Sequence, residues 1–420
     1  MTRSRFVVFG VLAAWAVGCH PDAVTNSPVV PRAGINFANL VPDTNKLIIR
    51  VVDIVSNAYL PGGGGTFRAA NQYPIAIEAG TRHIKVFFDT SDVILAQTVL
   101  LDTTYTFTQD ASYSFQVGGF ARSGRTPALR AQIIQNSLPT PGAGKIAVRV
   151  MSFAPSLAGA VPVLADTTVL PDAFIRKVDS LPSGSADATS LGYLASTAYA
   201  ILDTGRYRVT LTAPGTTGPP IVQAAMIAGS IGAKDTNPIG GTLVAGTVMT
   251  AVIVPRSVVG SKAPQLGSPT AKKVEVITRS NDTVTVQSGT ITVIINRSGS
   301  KADSITDTTG THATTGVNRG DVVYVSGANE AEYNGWQVAI RTADSLVCKP
   351  TNAGDTATKC AAANDTAKTY FRFRYRVTGT PASPATGTPV YKVYAPNSFT
   401  DYTIPTVVYI IDKRPPDTAP

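Results

Sequence analysis

The chain has 420 residues, enough for two to four domains of about 100–200 residues each. Apolar residues make up 44% and can bury real cores, while charged residues make up 15% against the usual ~25%, which argues against a coiled coil, a long solvated helix or a histone-like tail. The formal net charge is +9, and three Cys and three His leave little for zinc fingers, iron–sulfur clusters or histidine-based active sites.

Arg3 and Arg5 precede an unbroken apolar run, Phe6 to Gly18, which ends at Cys19. As a helix this run would cover ~20 Å, too short for a ~30 Å hydrocarbon core, so it reads as the apolar region of a signal peptide. Ala16-Val17-Gly18-Cys19 resembles a bacterial lipobox, with small residues at −1 and −3 before the Cys that is acylated; Ala stands at −3 where Leu is common. The alternative is an ordinary secretory signal with an incidental Cys. Two or three acyl chains give a stable membrane anchor where one is marginal. His20 follows the Cys where Asp would mark inner-membrane retention, which points to an outer membrane. Nothing else in the chain approaches 18 apolar residues, so the remainder is expected to be soluble. Residues 1–18 take two cations and no acid with them, leaving 34 Lys+Arg against 27 Asp+Glu, a net +7.

Residues 19–32 read as a Pro-containing tether. Beyond it, short β-branched and aromatic runs alternate with Gly/Pro/Asn/Asp/Thr turns at all-β spacing. In Arg206 to Thr212, Tyr207, Val209 and Leu211 fall on one face, with Arg206, Arg208, Thr210 and Thr212 on the other; Trp336, Val338 and Ile340 alternate likewise. Ala173 to Ser180 is the one helical candidate.

An internal repeat is present. Residues 35–42 match 148–155, Tyr73 to Gly80 and the run after it match Tyr199 to Gly205 and the run after it, and 110–119 match 246–255. Gly80 and Gly205 are each expected to make a tight turn before a hairpin strand. The units so defined are 33–140 and 141–260. The order carried by Asn39, Pro42, Tyr73, Gly80, Ile84 and Val86 in the first copy, and by Ser152, Pro155, Tyr199, Gly205, Tyr207 and Val209 in the second, resembles a family of small exported bacterial β-sandwich domains of unknown function. That resemblance implies tandem, antiparallel, immunoglobulin-like sandwiches and transfers no catalytic residue.

Residues 261–272 form a Pro/Ser linker to a third unit, 273–412, followed by a tail at 413–420 expected to be disordered. Gly320-Asp321 to Ala328, Tyr333-Asn334-Gly335 and Phe371 to Gly387 together resemble a small β-barrel module of phage-tail and bacterial surface proteins. Asn334-Gly335 is a type I′ hairpin candidate. Cys348 and Cys360 are an even pair in an exported chain, where a disulfide is allowed and would contribute roughly 3 kcal/mol by loop entropy; two reduced thiols are the alternative.

Chemistry is sparse. Nucleophilic hydrolysis needs a base beside its nucleophile, and the available bases are His20 at the anchor, His83 on a solvent-facing strand position and His312 in a Thr-rich loop; no G-x-S-x-G occurs. There is no H-x-x-x-H, C-x-x-C or EF-hand loop, and Asp303, Asp307 and Asp321 read as turn and cap carboxylates rather than calcium ligands. Arg319-Gly320-Asp321 is a turn before a strand, and Gly62–Gly65 a flexible loop with no Lys-Ser/Thr to make a phosphate cradle.

The most unusual stretch is Tyr370-Phe-Arg-Phe-Arg-Tyr-Arg-Val377. At a period of 2, Arg372, Arg374 and Arg376 line one face at ~6.8 Å intervals and suit phosphate, sulfate or carboxylate groups of a surface polymer. The plain alternative is a solvated strand face paired with acids across the ladder. Nucleic acid is not expected, since no stacking aromatic shares that face.

The expectation is therefore an all-β, non-enzymatic lipoprotein of the bacterial envelope with no metal or cofactor. Its partners would be the membrane, through Cys19, and an anionic polysaccharide or another envelope protein.

Overall fold

The structure is a computed structural model. It describes residues 30–416 except 54–58, 72, 158–169, 179, 233–237, 266–274, 279–282, 288–289, 298–321, 330, 332–333, 349–367, 377–386 and 395–398. Among the described residues every regular element but one short helix is a strand, and the strands form five sheets, none of them closed.

The first unit comprises β1 (Arg32–Leu40), β2 (Lys46–Val51), β3 (Tyr59–Thr66), β4 (Ile75–Glu78), β5 (Gly80–Phe88), α1 (Val93–Gln97), β6 (Val99–Phe107), β7 (Ser112–Gly118) and β8 (Arg130–Gln135). One sheet has the order β4-β1-β7-β8, the other β3-β2-β5-β6. Alternation drives both: Ile35 and Phe37 of β1, Leu47 and Ile49 of β2, Ile84 and Val86 of β5 and Phe115 and Val117 of β7 meet in one buried cluster. Gly80 behaves as expected, with φ +102 at the start of β5. Gly62–Gly65 belongs to β3, not to a loop; the carbonyl of Gly65 accepts from Asn39 Nδ2 at 2.9 Å. The helix α1 was not foreseen. It is a single turn capped by Asp92, whose Oδ1 accepts from the amides of Ile94 and Leu95.

The second unit repeats this plan with β9 (Lys145–Ser152), β10 (Asp172–Lys177), β11 (Ala200–Asp203), β12 (Tyr207–Thr212), β13 (Val222–Ala225) and β14 (Val248–Val254). The order β11-β9-β14 matches β4-β1-β7 strand for strand, and β10-β12-β13 matches β2-β5-β6. The outer pair in each is antiparallel, whereas β1–β7 and β9–β14 are parallel, so these sheets are mixed rather than purely antiparallel. The helix expected over Ala173 to Ser180 is instead β10, paired along its length with β12. Gly205 does not share Gly80's positive φ; a Cβ there would sit 3.2 Å from the Tyr207 ring and press on it.

The C-terminus departs most from the sequence reading. In the first unit β8 pairs with the outer edge of β7, while the matching place beside β14 is taken by β22 (Thr406–Lys413), more than 150 residues on. Residues 406–412 therefore pair with the second unit and not with the third, because β22 alternates on both faces: Val407 and Ile411 enter the second unit's core, Val408 and Ile410 a different one. Beyond 413 the chain stays packed through 416. The Arg414 guanidinium lies 4.3 Å over the Tyr73 ring, and Pro416 packs against Gly246.

Between β14 and β22 lies one seven-stranded sheet, β15-β21-β18-β19-β20-β17-β16, built from β15 (Glu275–Thr278), β16 (Thr283–Gln287), β17 (Thr290–Arg297), β18 (Val322–Ala328), β19 (Gly335–Cys348), β20 (Lys368–Arg376) and β21 (Gly387–Tyr394). It is open, not a barrel. Asn334-Gly335 is not a two-residue turn: Tyr324 pairs with Trp336 and Val325 with Gly335, leaving 326–334 as the connection, with Gly335 at φ +102. Register shifts at Ala339/Arg341 and Arg341/Asp344 let the long β19 pair first with β18 and then with β20. Val322, Tyr324 and Trp336 pack beside Leu181, and Trp336 lies against Gly218, which joins this sheet to the second unit.

Candidate functional site

The two repeat units meet sheet to sheet. On β1, β9 and the residue after it, β14 and β22, the residues that alternate away from each unit's own core form a shared cluster: Ala38, Leu40, Met151, Phe153, Val252, Val254, Val408 and Ile410. Beside it is a buried polar network. Arg149 is 5% exposed and Asp412 1%. The Arg149 guanidinium donates to Thr250 Oγ1 at 2.7 Å and Asn136 Oδ1 at 2.7 Å, and to Ser114 Oγ at 3.2 Å. The Thr250 hydroxyl donates to Asp412 Oδ2 at 2.5 Å, and the Tyr199 hydroxyl donates to the same oxygen at 3.0 Å. Arg149 and Asp412 form a direct ion pair at 3.7 Å, with the guanidinium 4.8 Å over the Tyr199 ring. Asn36 Nδ2 reaches the Ile411 carbonyl at 3.0 Å.

Burial raises the Asp412 carboxyl above its ordinary range, outweighing the opposing pull of Arg149, Thr250, Tyr199 and Asn36. Burial first, and then the neighbouring Asp412 charge, raises the Tyr199 phenol. This is a sealed, charge-compensated joint between units, with no solvent-facing nucleophile among its members.

A second joint centres on Arg68, in a left-handed conformation at φ +71. Nη1 donates to the Asp401 carbonyl at 2.6 Å and to that of Phe399; Nη2 donates to the Pro255 carbonyl at 2.8 Å and to that of Ile404. The guanidinium is 5.1 Å from the Phe67 ring and 5.2 Å from that of Tyr402. Burial pulls its pKa down to about 10, which leaves it charged at neutral pH. Arg68 thus ties the place where the chain leaves the second unit to the place where it returns. Arg68→Ala strips four carbonyls of a charged donor and is expected to cost about 2–4 kcal/mol, read as a lowered urea midpoint at unchanged m-value.

His83 lies where its alternation phase puts it, partly exposed, with Nε2 2.5 Å from Asp102 Oδ1 while Lys85 holds Oδ2 at 3.1 Å. The hydrogen bond from His83, then that from Lys85, lowers the Asp102 carboxyl. This is a surface ion cluster. Among the described residues no three His, Cys, Asp or Glu side chains converge as metal ligands, and no helix is long and apolar enough to cross a membrane, which says nothing of β-barrels.

Arg372, Arg374 and Arg376 do share one strand, β20, flanked by β17 and β19. Arg372 is in register with Ile294 and Asp344, Arg374 with Thr292 and Arg341, and Arg376 with Thr290. The ladder therefore sets one acid opposite the row and adds a fourth arginine. Cys348 ends β19, opposite Lys368. Cys19, His20, Asp303, Asp307, His312, Arg319-Gly320-Asp321 and Cys360 lie outside the described residues. No protein-family model matches the chain, and no curated protein matches it.

Proposed function

We propose that this is a non-enzymatic, lipid-anchored protein of the bacterial envelope, exported and held at the outer membrane, whose two repeat units form a rigid β base for the sheet inserted between β14 and β22. In this reading each repeat unit is an immunoglobulin-like sandwich, with its two sheets closed on the clusters around Phe37 and Val209. The observation that carries the reading is the leader: Arg3 and Arg5, the apolar run Phe6 to Gly18, and Cys19 at its end. The sealed Arg149–Asp412 joint supports it, because buried charge between units makes them one body rather than beads on a string.

The test is metabolic labelling with a fatty-acid analogue in a bacterial host. Wild type is expected to take up label and to accumulate as an unprocessed precursor under globomycin. Cys19→Ala is expected to lose the label entirely, and label retained by Cys19→Ala would defeat the proposal.

A further inference from the structure

The register of the inserted sheet sorts its residues by face across four neighbouring strands. Residues directly opposite on a ladder share a face, so one face carries Val284 and Val286 of β16, Ile291, Val293, Ile295 and Arg297 of β17, Thr369, Phe371, Phe373 and Tyr375 of β20 and Ala339, Ser345 and Val347 of β19. The other carries Thr283, Thr285 and Gln287 of β16, Thr290, Thr292 and Asn296 of β17, and Tyr370, Arg372, Arg374 and Arg376 of β20, joined by Arg341 of β19. Lys368 of β20 is there too; Ile294, Leu346 and Cys348 are its apolar members besides Tyr370, and Asp344 is its one acid among the described residues. The first face is mostly apolar, with Arg297, Thr369 and Ser345 as its polar members; the second is mostly polar, with a surplus of arginines.

We infer that this Thr/Gln/Arg face, with Arg341, Arg372, Arg374 and Arg376 on adjacent strands, is a binding site for a carboxylated or sulfated polysaccharide. Arginine positions two residues apart along β20 repeat every ~6.8 Å, with the Arg341 position one ladder step (~5 Å) to the side, and arginine is the residue type suited to two-point recognition of repeated carboxylate or sulfate groups. The Thr, Asn and Gln positions around them supply hydroxyl and amide partners for sugar hydroxyls. Tyr370 shares this face, which corrects the expectation that no aromatic would; a single ring can lie along one sugar, whereas stacking successive bases calls for several. The inference rests on the reading of the chain as an exported scaffold and names what that scaffold would hold.

The experiment uses the full chain and two immobilised probes, a heparin fragment for sulfate and an oligogalacturonate for carboxylate. The chain with Arg341, Arg372, Arg374 and Arg376 all changed to Gln is compared with a control in which exposed basic residues elsewhere, Arg206, Arg256 and Lys262, are changed to Gln, and with Arg374→Gln alone. If each charge contact is worth about two- to fivefold, the fourfold variant loses roughly 16-fold or more in affinity. Arg374→Gln, which keeps the fold if the fourfold variant does not, loses about threefold, and the control changes less than twofold. Binding to either probe with this pattern supports the site. Equal losses in the control and face variants, no binding to either probe, or equal competition by a DNA oligonucleotide of matched charge would overturn it. Fatty-acid labelling of the same preparations is independent of all these arms, so a failed site and a failed anchor give different results.

Discussion

Arg149→Met destabilises the protein by about 3–5 kcal/mol, because it strands a carboxylate that has no access to water. The lost guanidinium also leaves Asn136, Ser114 and Thr250 without their charged donor. The double variant Arg149→Met/Asp412→Leu removes both charges together and is expected to recover at least half of the loss, as buried ion pairs replaced whole by apolar groups often do. Urea midpoints of the two single variants, the double variant and wild type form a cycle that isolates the pair. A single-variant loss under 1 kcal/mol would show that the joint does not hold the units together.

The same network sets a pH dependence. The folded Asp412 carboxyl has its pKa raised above the ordinary 3.8, so the folded state holds this proton more tightly than the unfolded chain. Its contribution to stability is then greatest below the unfolded value and falls as pH rises through 3.8 toward the folded value. Arg149→Met extends that fall to higher pH, since Arg149 no longer favours the charged form, and Asp412→Asn removes it. Urea midpoints between pH 3.5 and pH 7 measure the slope, and superimposable profiles for wild type and Asp412→Asn would exclude Asp412 as its source.

Much of the architecture can be read from local patterns, and the exceptions have physical causes. The match of Tyr73 to Gly80 with Tyr199 to Gly205 is local in the sequence, and the strand orders around β1 and β9 agree. The strand β10 escaped because Phe174 and Ile175 are both buried: with both faces covered, the alternation that marks a strand is erased. Arg149 and Arg68 escaped for a related reason. Arg149 alternates with Val148 and Val150 and so looks solvent-facing; a second sheet covers that face, and only tertiary structure reveals it. The one local sign was Asp412, a lone acid following the apolar run Val407 to Ile411. The place of β22 is set by pairing across more than 150 residues, which no local pattern encodes. The arginine row was legible because its side-chain alternation is complete within nine residues of β20.

A chain ending at residue 398 is expected not to fold its two repeat units, whereas a chain lacking 266–398 is expected to keep them. β22 brings Val407 and Ile411 to one core and Val408 and Ile410 to the joint between units, all of them buried. At about 1.5–3 kcal/mol for each buried aliphatic, their loss removes roughly 6–12 kcal/mol, comparable to the whole stability of a typical domain at about 5–15 kcal/mol. Removal of Asp412 also leaves Arg149 as an unmatched buried cation, and the Arg68 guanidinium loses three of its four carbonyls. Excision acts in the other direction. Residues 265 and 399 joined by about ten Gly/Ser residues retain β22, Arg68 and every member of the Arg149 network, and among the described residues give up the packing of Val322, Tyr324 and Trp336 against Leu181 and Gly218. A shorter connection closes at lower entropic cost, by about 0.6 kcal/mol for each halving of a flexible loop, which offsets part of that loss. Thermal melts followed by far-UV circular dichroism separate the two outcomes: a cooperative transition within a few degrees of wild type for the excised chain, and none for the truncated one. A cooperative melt in the chain ending at 398 would mean that the two units close without their last strand, and that Asp412 and Arg68 decorate a fold they do not hold.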